Sequence, residues 1–239
     1  MKQVIFFIVL LTLAEATYSQ KIILYRNTGG DQIFELSTID SIKFYFFVCG
    51  DDIDYQGKTY PTVLIGSQCW LKENLNVGTM ITGGQTQSDN GIIEKWCYNN
   101  DPANCIDYGG LYTWYEAMQH ISLEGSQGIC PDGWHIPTIA EFLTLKATVN
   151  SDGNALKRED QGSGAGQGTN TSGFSALLAG GFIGYFADLS NFGTIWSSTE
   201  DVQYFYPYLM VLRHDNNQIA AGGLMGSPGN GYSIRCIKD

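Results

Sequence analysis

The chain has 239 residues, with 24 acidic and 13 basic side chains and a net charge of −11. A field of that sign repels nucleic acid and anionic lipid, and no basic cluster offsets it, so neither is expected as a partner. Hydrophobic residues make up 44% and charged ones only 15%, with 29 glycines and 14 tyrosines. That profile suits one sizeable loop-rich domain plus a small appendage.

Residues 1–20 read as a secretory signal peptide. Lys2 supplies the positive start, Val4 to Leu13 the apolar stretch, and Ala14-Glu15-Ala16 a cleavage motif, with a second candidate site after Gln20. The apolar stretch is too short to span a bilayer, and no cysteine follows it where a lipoprotein would carry one. The expected product is secreted, periplasmic or cell-surface, with no membrane span after signal cleavage. Six cysteines, an even number, agree with an oxidising compartment.

Residues 21–48 read as a short β-meander. Ile22 to Tyr25 and Ile33 to Leu36 flank a turn at Asn27-Thr28-Gly29-Gly30-Asp31, and Ile42, Phe44, Phe46 and Val48 alternate in a third run. A segment of about 28 residues cannot bury a core of its own. The main body is residues 49–239. Strands are predicted over Tyr60 to Ile65 and Cys69 to Leu71, joined by a turn at Gly66-Ser67-Gln68. The spacing of Leu111, Trp114, Tyr115, Met118 and Ile121 predicts a helix. Thr138-Ile139-Ala140-Glu141 is a capping box opening a second helix, with Ile139, Phe142, Leu143 and Leu145 on its buried face. Asn150 to Thr171 is glycine-rich and polar and reads as a long exposed loop. Strand-like runs return at Phe182 to Tyr185, Ile195 to Ser198, Phe205 to Val211 and Ser233 to Cys236. The order of elements predicts an α+β fold, not a parallel α/β one.

Several motifs in order resemble the Fibrobacter succinogenes major paralogous domain, a family of exported bacterial modules. They are Ile65-Gly66-Ser67-Gln68-Cys69-Trp70-Leu71-Lys72-Glu73-Asn74-Leu75, Tyr98-Asn99-Asn100-Asp101, Tyr108-Gly109-Gly110-Leu111-Tyr112 and Cys130-Pro131-Asp132-Gly133-Trp134-His135-Ile136-Pro137. Ser172-Gly173-Phe174-Ser175-Ala176-Leu177, Trp196-Ser197-Ser198-Thr199-Glu200 and Arg235-Cys236-Ile237-Lys238-Asp239 complete the set. The resemblance covers roughly Cys49 to Asp239. It implies a C-type-lectin-like fold, with two helices flanking a small twisted antiparallel sheet with long loops, a fold shared with formylglycine-generating enzymes. Trp114, Ala117, Cys130, Gly133, His135, Ile136, Glu141, Phe142 and Leu143 follow a similar lectin-like progression. It also implies surface roles such as adhesion or glycan and protein binding, and it supplies no catalytic residue.

Six cysteines allow fifteen pairings. Cys97 and Cys105 bracket a short loop with a turn and are paired locally. The lectin-like resemblance implies Cys130 with Cys236, which leaves Cys49 with Cys69.

Candidate ligand-binding residues are few. Asn99, Asn100 and Asp101 carry oxygens that suit a hard cation or a polar ligand, although Asn-Asn-Asp-Pro is also a turn signature. Tyr204, Tyr206 and Tyr208 alternate and would set three rings on one strand face. Trp114 and Trp134 read as core. The calcium-binding triplets of lectins are missing, and Asp52 to Gly57 lacks the glutamate that would complete a calcium loop. With His120, His135 and His214 scattered and no Cys-x-x-Cys, no metal ligand is assigned. Ser197, Ser198 and Thr199 lack the surroundings of a nucleophile, and nothing places a carboxylate behind His214. The expected function is a non-enzymatic binding or adhesion module for an extracellular glycan or protein, needing no cofactor. The rivals are a formylglycine-generating-type enzyme, in which a reactive cysteine pair is needed near the C-terminus, and a purely structural surface protein.

Overall fold

The computed structural model describes residues 47–239 and, upstream, two short strands, Lys21–Leu24 and Gln32–Glu35. The signal segment, the turn at 27–31 and most of the third meander run lie outside the described residues. The chain divides into two compact units, residues 1–46 and residues 47–239. In the first, β1 (Lys21–Leu24) and β2 (Gln32–Glu35) pair antiparallel, with Lys21 opposite Glu35 and Leu24 opposite Gln32.

The second unit is β-rich. A tight hairpin joins β3 (Ile53–Tyr55) to β4 (Lys58–Tyr60) through Gln56 and Gly57, both at positive φ. Pro61 has no amide proton to donate, and β5 (Thr62–Ile65) restarts after it, pairing with β6 (Gln68–Leu71). A parallel pair follows, β7 (Thr79–Ile81) with β8 (Glu94–Trp96). Helix α1 (Pro102–Tyr108) begins where Asp101 accepts from the Ala103 amide, with Pro102 in the first turn. Helix α2 spans only Trp114–Ala117, β9 is Trp134–His135, and α3 is Ile139–Thr148. A short α4 (Gly153–Leu156) precedes β10 (Ala179–Phe182), β11 (Phe186–Leu189), β12 (Phe192–Glu200), β13 (Pro207–Arg213), β14 (Ile219–Ala220) and β15 (Ile237–Lys238).

The largest sheet is five-stranded, in the order β11-β10-β12-β13-β14, and mixed, because β10 runs parallel to β12. A four-stranded antiparallel sheet has the order β5-β6-β15-β9. Fifteen strands against four α-helices, among the described residues, overturn the expected fold class. The α+β, C-type-lectin-like arrangement of two helices flanking a small sheet is not what the chain builds.

The first expected helix fails for a local reason. Leu111 and Tyr112 are taken up in strand-type bridges to Trp96 and Tyr232. Gln119 and His120 then adopt left-handed φ of 52° and 59°, which ends the helix after one turn. Tyr115 and Ile121, expected on its buried face, are exposed. The second helix is as expected at its start. Thr138 and Glu141 form a reciprocal capping box, and Phe142 and Leu145 are fully buried while Leu143 is exposed.

Residues 150–171 are not simply a long exposed loop. They fold around Lys157, whose ammonium is buried and donates to the carbonyls of Gly166, Arg213 and Asn216. Gly166 is required there, since a Cβ would lie 2.1 Å from the His214 carbonyl oxygen. The strand expected at Phe182 to Tyr185 instead contains the β10–β11 turn, and that at Ser233 to Cys236 gives way to β15.

One core cluster joins Tyr60, Leu71, Tyr112, Trp114, Trp134 and Trp196. Another lies under α3, where Trp70 stacks on Phe142 at 5.8 Å and meets Phe174 edge-on at 5.5 Å. Full burial of each such side chain contributes about 1.5–3 kcal/mol. Three disulfides close the framework: Cys49–Cys69, Cys97–Cys105 and Cys130–Cys236.

Candidate functional site

A cleft of about 370 Å³ opens beside α1. Lys72, Glu73 and Asn74, just past β6, form one wall, and Ile106, Asp107, Tyr108 and Gly109 at the end of α1 form another. Lys58, Arg158, Ser175 and Leu177 complete the rim. Gly109 caps α1 at a φ of 86°, and a Cβ on it would stand 2.6 Å from the Asn74 Cβ. Only glycine lets the helix end approach the Asn74 wall this closely.

The floor is held by Arg235. Its guanidinium is fully buried and donates to Asn74 Oδ1 at 2.8 and 3.2 Å, to the Lys72 carbonyl at 3.0 Å and to the Phe174 carbonyl. Every one of these acceptors is a neutral oxygen. Burial pushes the guanidinium down to about 9, so it stays charged at neutral pH. The Asn74 amide nitrogen donates in turn to the Tyr108 carbonyl at 2.9 Å and to Ser233 Oγ at 3.2 Å. Both walls are therefore tied to one buried cation.

Charges at the rim are partly matched. Lys58 pairs with Glu73 at 2.6 Å, and Arg158 makes a bidentate pair with Asp160 at 2.6 Å per contact. Ile106 is 73% exposed and sets an apolar edge beside these polar groups. The mouth thus offers ammonium, carboxylate, hydroxyl and apolar surface together.

The six ligand candidates read from sequence do not line this cleft. Asn99 sits at a φ of 56° and is exposed, Asn100 Oδ1 accepts from the Gly83 amide at 2.7 Å, and Asp101 caps α1. Tyr204 and Tyr206 lie in the turn before β13, where Phe205 at a φ of 56° breaks the alternation, and only Tyr208 lies on the strand. Tyr208 donates its hydroxyl to Asp201 at 2.8 Å. The three rings do not share a strand face.

No nucleophile and base come together among the residues considered from sequence. Ser198 Oγ accepts from the Gly125 amide, Ser197 Oγ from the Thr199 amide, and Thr199 Oγ1 bonds Glu124 and accepts from the Ile139 amide. None of these hydroxyls bonds His214. All six cysteines are in disulfides, which leaves no reactive thiol for formylglycine-type chemistry.

The residues of the cleft went unnamed as ligand candidates, yet a signal was present. Lys72 to Asn74, Tyr108 and Gly109, and Ser175 and Leu177 line the cleft from three motif runs, and Arg235, which braces Asn74 from beneath, falls in a fourth. A family profile described as the Fibrobacter succinogenes major domain matches residues 63–238. The chain belongs to that family. Three separate motif runs thus line the cleft of this Fibrobacter succinogenes major domain, and a fourth braces it through Arg235. No curated protein and no solved structure matches the chain. None of the described helices is long and apolar enough to cross a membrane.

Proposed function

We propose that this domain is a non-catalytic binding module of a secreted or cell-surface protein, and that the cleft beside α1 takes a glycan. The observation that carries the reading is the convergence of three separated motif runs on one concavity, braced from beneath by Arg235 of a fourth. Its volume lies within the usual range for small-ligand sites. A saccharide presents hydroxyls around the ring edge and C–H groups on its faces. The polar rim suits the first, and Ile106 and Tyr108 suit the second. The buried Arg235–Asn74 link fixes both walls in advance, which lowers the ordering cost of binding.

A glycan array probed with the purified chain, followed by calorimetry on the hits, tests this. Lys72→Ala and Tyr108→Ala should each weaken binding about tenfold, a loss of about 1.4 kcal/mol. An array with no hit would overturn the glycan reading. Binding indifferent to both substitutions would overturn the cleft as its place.

A further inference from the structure

The cleft beside α1 runs against the charge of the chain that carries it. Of the 13 basic side chains, Lys58, Lys72 and Arg158 line it, and Arg235 braces it from beneath. Lys95, on β8, is a fifth cation of this region. Burial first, and then the like charge of Lys58, push its ammonium down, so the two amines are close enough to repel. The carboxylates of the lining are Glu73 and Asp107, and Asp160 stands beside Arg158. In a chain with 24 acidic residues and a net charge of −11, this one concavity carries the opposite balance.

The acids are already matched. Lys58 holds Glu73 at 2.6 Å. The Asp160 hydrogen bonds, opposed by burial, hold the Arg158 guanidinium up, and the Asp107 charge adds to this. Lys72, by contrast, is in no ion pair among the described residues, and Arg235 donates only to neutral oxygens. A sugar that offers hydroxyls alone leaves that surplus unanswered. An acid group on the sugar answers it.

Lys72 is placed for the contact. Its amide donates to the Pro61 carbonyl at 2.8 Å and its carbonyl accepts from Arg235 at 3.0 Å, which fixes the main chain. Its side chain is only partly buried, so the ammonium keeps its reach into the cleft. The negative field of the whole chain does not forbid an anion there. At physiological ionic strength charges are screened beyond about 8 Å, and the nearest cations decide. We propose that the cleft takes an anionic saccharide whose carboxylate or sulfate ester is held by Lys72, an assignment that rests on the glycan reading above and narrows it to one class. A lysine ammonium is a compact point charge and accepts either acid group.

An array of matched pairs tests this: oligohexuronates beside their methyl esters, and sulfated beside unsulfated oligogalactose, within a wider set of neutral glycans. Each pair keeps the sugar and changes the charge. The acidic member should bind at least about tenfold tighter in calorimetry. Raising NaCl from about 50 to about 500 mM should shrink that difference. The pair that shows it names carboxylate or sulfate as the group. Lys72→Gln should erase the preference. Lys146→Gln, the same loss of charge outside the cleft lining, should keep it. Hits confined to neutral glycans, or a preference that survives Lys72→Gln, would overturn the anionic assignment and leave the glycan reading standing. No glycan bound at all would overturn both.

Discussion

Arg235 holds the side-chain oxygen of Asn74 from two of its nitrogens, at 2.8 and 3.2 Å, across 161 residues of sequence. A lysine at 235 could not reproduce this fork, because an ammonium is a point donor and the guanidinium is planar. Its loss would leave the Lys72 and Phe174 carbonyls without their donor inside the protein. We expect Arg235→Lys to destabilise the domain by at least about 3 kcal/mol, read as a lower urea midpoint with an unchanged slope.

The three disulfides should differ in consequence. Cys130 and Cys236 are 106 residues apart and Cys97 and Cys105 only 8. Chain entropy assigns the long loop about 4.7 kcal/mol and the short one roughly 2.5 kcal/mol. Cys236→Ser should abolish recovery of folded protein, whereas Cys97→Ser should lower the melting temperature and leave a folded product. Equal yields of folded material from both variants would contradict the ranking.

His135 sits between two carboxylates, with Nδ1 2.7 Å from Asp239 and Nε2 3.0 Å from Glu141. The Glu141 hydrogen bond, opposed by burial, raises the imidazole above its ordinary 6.5. Burial alone would raise Glu141, but His135 and the Thr138 cap outweigh it and hold the carboxyl below 4.5. The raised histidine stabilises fully below 6.5 and loses its contribution as pH climbs through the folded value. The depressed carboxyl contributes above 4.5 and is lost as pH falls through its own folded value. The triad therefore helps most between 4.5 and 6.5. Thermal melts of the parent and His135→Gln should differ most in that window and converge at alkaline pH. A gap that widens toward alkaline pH would contradict this.

Lys157 places a cation where three loop carbonyls converge. Lys157→Met keeps the length of the side chain but strands those oxygens. A loss of roughly 3 kcal/mol or more is expected, with faster amide exchange across residues 158–168. Unchanged exchange there would show that the segment does not depend on the ammonium.

What could be read from the sequence was what is local. The capping box at Thr138 and Glu141 and the turn that follows Ile65 involve neighbours a few residues apart, and both stand in the structure. The apolar spacing from Leu111 to Ile121 misled because Leu111 and Tyr112 owe their burial to bridges with distant strands, not to a helical face. The glycines from Gly162 to Gly168 looked like solvent-exposed linker, yet Gly166 and Gly168 are buried because backbone packs against them. Tyr204, Tyr206 and Tyr208 alternate in sequence, but a left-handed Phe205 defeats the period. The cleft was hidden for a different reason. Its walls join residues near 74, 108 and 175, braced by Arg235, and no local pattern announces a meeting of segments so far apart.

Ile237 pairs on one side with Trp70 and on the other with His135, which puts β15 inside its sheet and not at an edge. Ribosomes release a chain from its amino end, so β6 and β9 emerge long before the strand that must lie between them. Until then two strand edges stand open, Cys130 has no native partner and Asn74 has no guanidinium to hold. A nascent chain stopped short of residue 235 lacks the guanidinium, the Cys130 partner and the central strand together. Assembly of this domain must wait for its final strand, and a truncation of only a few residues should behave as an unfolded protein, not as a slightly weakened one.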